Sequence, residues 1–322
     1  MNGLHGSGSI GVIGLCGQSI FFALPHLPAA GETVHAQTVM QEPGGKGYNQ
    51  VCAIAAMGVE CFFAARVGRD AWGEVCREEL KKRSVTPLFY LDDSLPTAIA
   101  SICTSAEGEN HVVVCAGAAG RLCPADLEAL LTPQALAGCS MLLMQLEVDV
   151  HCLEYVLDIG EKHGIPVLLN PAPAQALPPG LLQRFCVVTP NEGEAHMLLG
   201  EAPGVHLSDE QLCQGLHRLG ISKAVITLGE RGALVCVDGT CRLLPACAAL
   251  HVMDTTGAGD VFNAALATGL VEGLSFLAAS ALAVVASGLS TQRCGVLAAI
   301  PTRREVEERM AAYCMQHGIG EN

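Results

Sequence analysis

The sequence predicts an α/β fold: a mostly parallel central sheet with helices on both faces, plus a small β-sheet standing apart from it. Three observations carry this. Short apolar runs of about five to eight residues recur along the chain and end at a polar residue or a glycine. Helical segments separate them, as a parallel sheet requires. Two regions, about residues 20–41 and 97–114, break the alternation and read as extended pieces joined by turns. The 322 residues suit one large α/β domain over residues 1–322, with a lid from about residues 18–42 and 96–115.

Element by element, "IGVIGLCG" reads as a first buried strand, "GYNQVCAIAAMG" as a helix and "CFFAARVG" as a strand. "AWGEVCREELKKRS" is amphipathic and closes on cations, which suits a helix C-terminus. "TAIASICTSAEGENHVVV" alternates and turns at "EGEN", as a hairpin does. "SMLLMQLE", "IPVLLN", "CVVTPN" and "KAVITLG" are further strands; "DVHCLEYVLDIGEKHG", "EGEAHMLLGE" and "SDEQLCQGLHRLG" are the helices between them. In such folds ligands bind beyond the carboxyl ends of the strands. Glu147, Asn170, Asn191 and Thr227, which end these strands, should therefore gather on one rim.

Composition narrows the function. The net charge of −14 argues against a non-specific nucleic-acid surface. The 16 cysteines form no Cys-x-x-Cys pair and follow no zinc-like rhythm, so they read as buried reduced thiols. No basic leader precedes Lys46, the first cation of the chain, so a secretion signal is not expected. The uncharged stretch from Gly273 to Gln292 is rich in Ala, Ser and Gly and reads as a helix buried against protein rather than in a membrane. A soluble cytoplasmic protein is the expectation.

Two glycine-rich segments carry the chemistry. "PGGKGYNQ" sets Gly44, Gly45, Lys46 and Gly47 before a helix, with Asn49 in its first turn; the glycines permit close backbone approach. It lacks the spacing of a Walker A loop and reads equally as a tight turn with a cap. "DTTGAGD" places Asp254 and Asp260 around small residues at a helix start. The amides of Gly257, Ala258 and Gly259 could hold an anion there, and Asp260 could take a proton from an attacking hydroxyl; an N-capping Asp after a turn is the plainer reading. Glu147 reads as a hydroxyl- or metal-directed acid or as a helix cap, and "TPNEGEA", with Asn191 and Glu194, as a site or a helix start. "ITLGERG" reads as a turn or as a backbone surface for a flat or phosphorylated ligand.

Taken together, "GETV", "GGKGxNQ", "GRD", "GEN…AGA", "LLMQLE", "NPAPA", "TPNExEA", "ITLGxRG" and "DTTGAGDxFNAAL" resemble the ribokinase-like (phosphofructokinase B-type) carbohydrate kinases, closest to the ribokinase branch. The resemblance runs from about Ile10 to Pro301. It implies an ATP:sugar phosphotransferase acting on a primary hydroxyl of ribose or a related sugar. By that resemblance Asp260 is the base, and Gly257, Ala258 and Gly259 stabilise the phosphoryl group. Gly44, Gly45, Lys46, Asn49 and Glu147 line the sugar site. Asn191, Thr227, Gly229, Gly232, Gly259 and Val284 lie on the nucleotide side, with Glu194 linked to Mg2+. Asp254, Thr256, Thr291, Cys294 and Gly295 belong to a loop for an activating K+. The lid closes over the sugar and pairs two chains into a homodimer. No nucleic-acid or membrane partner is implied.

The chain departs from the family in three places. Family members of this branch carry Asn-x-Asp after the first strand, and that Asp grips ribose hydroxyls. Here the matching residues are Gly17 and Ser19, and the first Asp of the chain is Asp70. Losing one charged hydrogen bond costs roughly 2–3 kcal/mol, about a hundredfold in affinity. Gln18, Ser19 and His26 are the polar replacements nearby. Val284 stands where Asn or His borders the adenine, which points to looser base selection. Ala299 stands where a Ser contributes to the potassium site. A nucleoside or hexose kinase of the same family is the nearest alternative. A catalytically silent sugar- or nucleotide-binding regulator is the alternative from another class.

Overall fold

The computed structural model describes residues 8–202, 205–247 and 251–320. The chain opens with β1 (Ser9–Ile13), then the antiparallel pair β2 (Gly17–Ala23) and β3 (Thr38–Gly44). α1 (Lys46–Ala56), β4 (Cys61–Gly68), α2 (Ala71–Lys82) and β5 (Val85–Asp92) follow. A second hairpin, β6 (Ala98–Thr104) and β7 (Asn110–Cys115), precedes α3 (Pro124–Leu130). The alternation then resumes with β8 (Cys139–Gln145), α4 (Val150–His163), β9 (Val167–Asn170), β10 (Val187–Val188), α5 (Glu192–Leu198) and α6 (Asp209–Arg218). The remainder is β11 (Lys223–Thr227), β12 (Ala233–Val237), β13 (Thr240–Leu244), α7 (Ala258–Val271), α8 (Phe276–Ser290) and α9 (Arg303–His317).

These strands form the two expected sheets. The large one has nine strands in the order β13-β12-β11-β10-β9-β8-β1-β4-β5. It is parallel from β11 to β5, and β12 runs against both of its neighbours. The small one has the order β3-β2-β6-β7, with β2 and β6 parallel at its centre. Its two hairpins come from chain segments on either side of β4, α2 and β5.

The core explains the continuous apolar runs. Side chains of a strand alternate between faces. In β8, Met141 and Leu143 enter the layer with α1, α7 and α8, while Leu142 and Met144 enter the layer with α3, α4 and α6. Each strand thus feeds two hydrophobic layers and needs no polar face. α8, the uncharged stretch, is buried from Ala278 to Ala286, and it packs on α7 through small side chains: a Cβ on Gly269 would stand 3.0 Å from that of Ala279. Among the described residues no helix is long and apolar enough to cross a membrane. All 16 cysteines are free, and eight are buried.

Candidate active site

The strand order reverses at β1, which lies between β8 and β4. A crevice opens at such a switch point, beyond the carboxyl ends of the strands. The start of α1 fills one side of it. Gly45, its N-cap, has φ of 112°, and a Cβ there would stand 2.4 Å from the Leu15 carbonyl oxygen. Glycine alone lets the helix begin this close to the end of β1. The Lys46 amide N–H then donates to Glu147 Oε2 at 2.7 Å, tying α1 to the end of β8. Burial pushes the Glu147 carboxyl up to about 7, against the opposing pull of the Lys46 amide and charge.

The start of α7 faces α1 across the crevice. Its N-cap is Gly257, at φ of 76°. Asp260 does not cap the helix. Its Oδ2 accepts from Asn49 Nδ2 at 2.9 Å and its Oδ1 from Gln50 Nε2 at 3.0 Å. The carboxylate is only 7 % exposed. Burial raises its pKa, and the Lys46 charge and the two amide donors oppose that rise. An acid so placed is a stronger base than a solvated Asp and keeps lone pairs free for a hydroxyl proton.

A buried amide network that the motif reading did not assign lies behind Asp260. Gln50 also donates to Asn170 Oδ1 at 3.1 Å and accepts from Gln145 Nε2 at 2.6 Å. Asn170 donates to the Thr189 carbonyl. The Thr189 hydroxyl donates to Asn263 Oδ1, and Asn263 Nδ2 to the Gly259 carbonyl at 2.8 Å. The strand ends β8 and β9 thus hold both the acid and the glycine turn before it.

On the other side of the α7 N-terminus lies a cleft of about 720 Å³. Thr227, Gly229, Gly232, Gly259 and Val284, expected on the nucleotide side, all line it. So do Ser287, Gly288 and Thr291, which with Val284 form one stripe of α8 at helical spacing. Asn191 is not among the lining residues. It pairs with Thr227 through a bridge and N-caps α5, exchanging hydrogen bonds of 2.8 Å with Glu194 in a capping box. Burial raises the Glu194 carboxyl, while the Asn191 amide and the Lys46 charge oppose it. Of the amides expected to hold an anion, that of Ala258 reaches back to the Thr255 carbonyl at 3.2 Å.

Asp254 joins two loops. It accepts from Thr256 N at 2.9 Å and from Gly295 N at 3.1 Å. Burial pushes its pKa up, but the Thr256 and Gly295 donors outweigh that and leave it lowered. The Thr291 carbonyl already accepts from the Met253 and Asp254 amides. Cys294 is exposed. Of the polar residues near the missing Asp, His26 pairs with Glu32 at the surface, at 2.8 Å. Gln18 is buried and reaches the neighbouring Ser19 carbonyl. Ser19 Oγ stands 2.5 Å from where a Cβ on Gly44 would be.

A Gly-rich helix start, a buried acid and a cleft of about 720 Å³ thus meet on a sheet covered on both faces. Residues 9–303 match the pfkB family carbohydrate kinase pattern, and the chain belongs to that family. It is similar to the ribokinase of Bacillus subtilis, with 34 % identity over 94 % of this chain and 99 % of that one. It is also similar to the ribokinase of Haemophilus influenzae, with 32 % identity over 92 % and 96 %. The crystal structure of the Thermotoga maritima ribokinase superposes with a TM-score of 0.84 at 30 % identity, over 94 % of this chain and 99 % of that one. The Arabidopsis thaliana ribokinase, solved with ribose and ATP, gives a TM-score of 0.83 at 28 % identity and the same coverage.

Proposed function

We propose that this chain is an ATP-dependent sugar kinase that phosphorylates a primary hydroxyl of ribose or a related sugar. The observation that carries the reading is Asp260, held by Asn49 and Gln50 between the crevice at β1 and the cleft along α8. The sugar lies against Gly44, Gly45, Asn49 and Glu147. Asp260 takes the hydroxyl proton, and the freed oxygen attacks the γ-phosphorus in line as ADP leaves. The amides of Gly257, Ala258 and Gly259, with the positive end of α7, receive the charge on the transferring group. Lys46, whose charge acts on Asp260, Glu147 and Glu194, adds to this. Catalysis of this type is mostly positioning and charge stabilisation.

Bound with ATP, Mg2+ would offset the charge of its phosphates. Glu194 fits it, because a half-buried carboxyl with a raised pKa gains by ionising beside a cation. K+ would be held in the loop by the Asp254 carboxylate, which accepts from the Thr256 and Gly295 amides, and by oxygens of Thr256, Thr291, Cys294 and Gly295. The Thr291 carbonyl, with two amides on it, is the weakest member of that set. Ala299 adds no side-chain oxygen. The location is cytoplasmic, and the small sheets of two chains pair into a homodimer.

The test is Asp260→Asn in a coupled ADP-release assay with ribose and related sugars. The acid-to-amide change should lower kcat by about 10²–10⁴-fold while ATP binding, measured by calorimetry, persists. Turnover near that of the unaltered protein would remove Asp260 as the base.

A further inference from the structure

The small sheet places one carboxylate beside the position where this chain lacks the Asp of the family motif. In the β2–β3 pairing, Ser19 lies opposite Glu42 and Gly17 opposite Gly44. Residues directly opposite, and residues two apart on one strand, share a face of the sheet. Gly17, Ser19, Glu42 and Gly44 therefore form one patch, and the closeness of Ser19 Oγ to Gly44 agrees. This patch runs into Gly45, Lys46 and Asn49, the side of the crevice facing Asp260.

Glu42 is half-buried, and its Oε1 is buried with no hydrogen-bond partner. Buried carboxylate oxygens are rarely left so, and a position of this kind calls for an explanation. Burial pushes the carboxyl up, while the N–H groups of Val296 and Leu297 and the charge of Arg83 pull the other way. Val296 in turn packs on Gly257, the N-cap of α7: a Cβ there would stand 2.7 Å from Val296 Cγ1. Glu42 thus reaches from the small sheet toward the loop that backs the phosphoryl-binding turn.

Resting on the sugar-kinase reading, we infer that Glu42 determines acceptor specificity: its unpartnered carboxylate oxygen accepts hydrogen bonds from ring hydroxyls of the sugar. Ser19, across the strand pair, supplies a second, neutral contact. The carboxylate has moved from β2 to β3 while staying on the same face.

The experiment measures KM for sugar, KM for ATP and kcat in the unaltered protein, Glu42→Gln, Glu42→Ala and the double change Ser19→Asp/Glu42→Ala. Acceptors are ribose, its single-deoxy analogues and other pentoses. Glu42→Ala should raise KM for ribose about tenfold or more, with KM for ATP within about twofold. That penalty should shrink for the deoxy analogue lacking the contacted hydroxyl. Ser19→Asp/Glu42→Ala should regain much of the loss. If Glu42→Ala does not fold, the isosteric Glu42→Gln carries the same comparison. An unchanged KM for sugar overturns the inference, and so does an equal rise for ribose and every deoxy analogue, which would make Glu42 a structural tie. If the unaltered protein phosphorylates no sugar, the sugar-kinase reading falls and this inference with it. Sugar turnover indifferent to Glu42 leaves that reading standing and removes only the inference.

Discussion

Gln50 is fully buried and serves three partners at once: it donates to Asp260 and Asn170 and accepts from Gln145. Gln50→Leu would take one hydrogen bond from each of the three, so it should cost about 1–3 kcal/mol of stability, read by urea denaturation. Removing a donor that favours the ionised acid also raises the Asp260 pKa, so the acid limb of the kcat profile should move to higher pH. An unmoved limb would limit Gln50 to packing. Glu147 gives a second pH signature. Its folded pKa, about 7, lies above the ordinary 4.5. The raised value means that the folded chain holds the proton longer than the unfolded chain. The Glu147 contribution to stability is therefore fullest below pH 4.5 and declines as pH rises through 7. Glu147→Gln should gain about 1–3 kcal/mol over the unaltered protein at pH 8 and almost nothing at pH 4.5, as thermal melts at both values would show. The glycine motifs around these residues were legible, because close approach restricts residue type. Gln50 was not. It stands one residue after Asn49 inside a recognised motif, but its partner Asp260 is 210 positions away, and only the packed helices bring the two together.

At the scale of elements, the stripe Val284, Ser287, Gly288 and Thr291 makes α8 a wall of the cleft proposed for the nucleotide. A Cβ on Gly288 would already stand 3.1 Å from Cys247 Cβ. Gly288→Val should therefore raise KM for ATP by about tenfold or more, by overpacking the wall, and leave KM for sugar nearly unchanged. A matching rise in both would mean that α8 supports the whole site. The parallel strands could be read because burial on both faces makes them continuously apolar. β5 escaped that reading. It carries Pro87 and lies at the edge of the large sheet, where proline is tolerated. β13, at the opposite edge, is mixed and mostly uncovered. α9 buries only Val306 and Tyr313, too thin a stripe to announce itself as a helix. Asp260 illustrates a further limit. Its position at a helix start suggests a cap, yet Gly257 is the N-cap and the carboxylate faces α1 instead.

For the molecule as a whole, the outer strands of the small sheet expose apolar side chains. Val113 is 69 % exposed, and Val112, Val114, Val39 and Met40 are also open. A patch on an unpaired sheet edge calls for a partner, and a second copy of the same strands is the one proposed above. Val113→Glu should shift sedimentation toward monomer, and an unaltered sedimentation profile would place any pairing elsewhere.

The two hairpins of the small sheet have a mechanical consequence. The sheet meets the large domain at four chain crossings: Gly14–Cys16, Gly45, Asp93–Thr97 and Ala116–Ala118. A flap hung from two crossings can twist in several directions. A plate tethered at four is more constrained, and the pairing of β2 with β6 joins its two hairpins into one body. Two of the crossings lie close together, since a Cβ on Gly17 would stand 2.6 Å from the Ala98 carbonyl oxygen. A load on the tip of either hairpin is therefore shared by both and carried to the crossings, one of which, Gly45, adjoins Gly44.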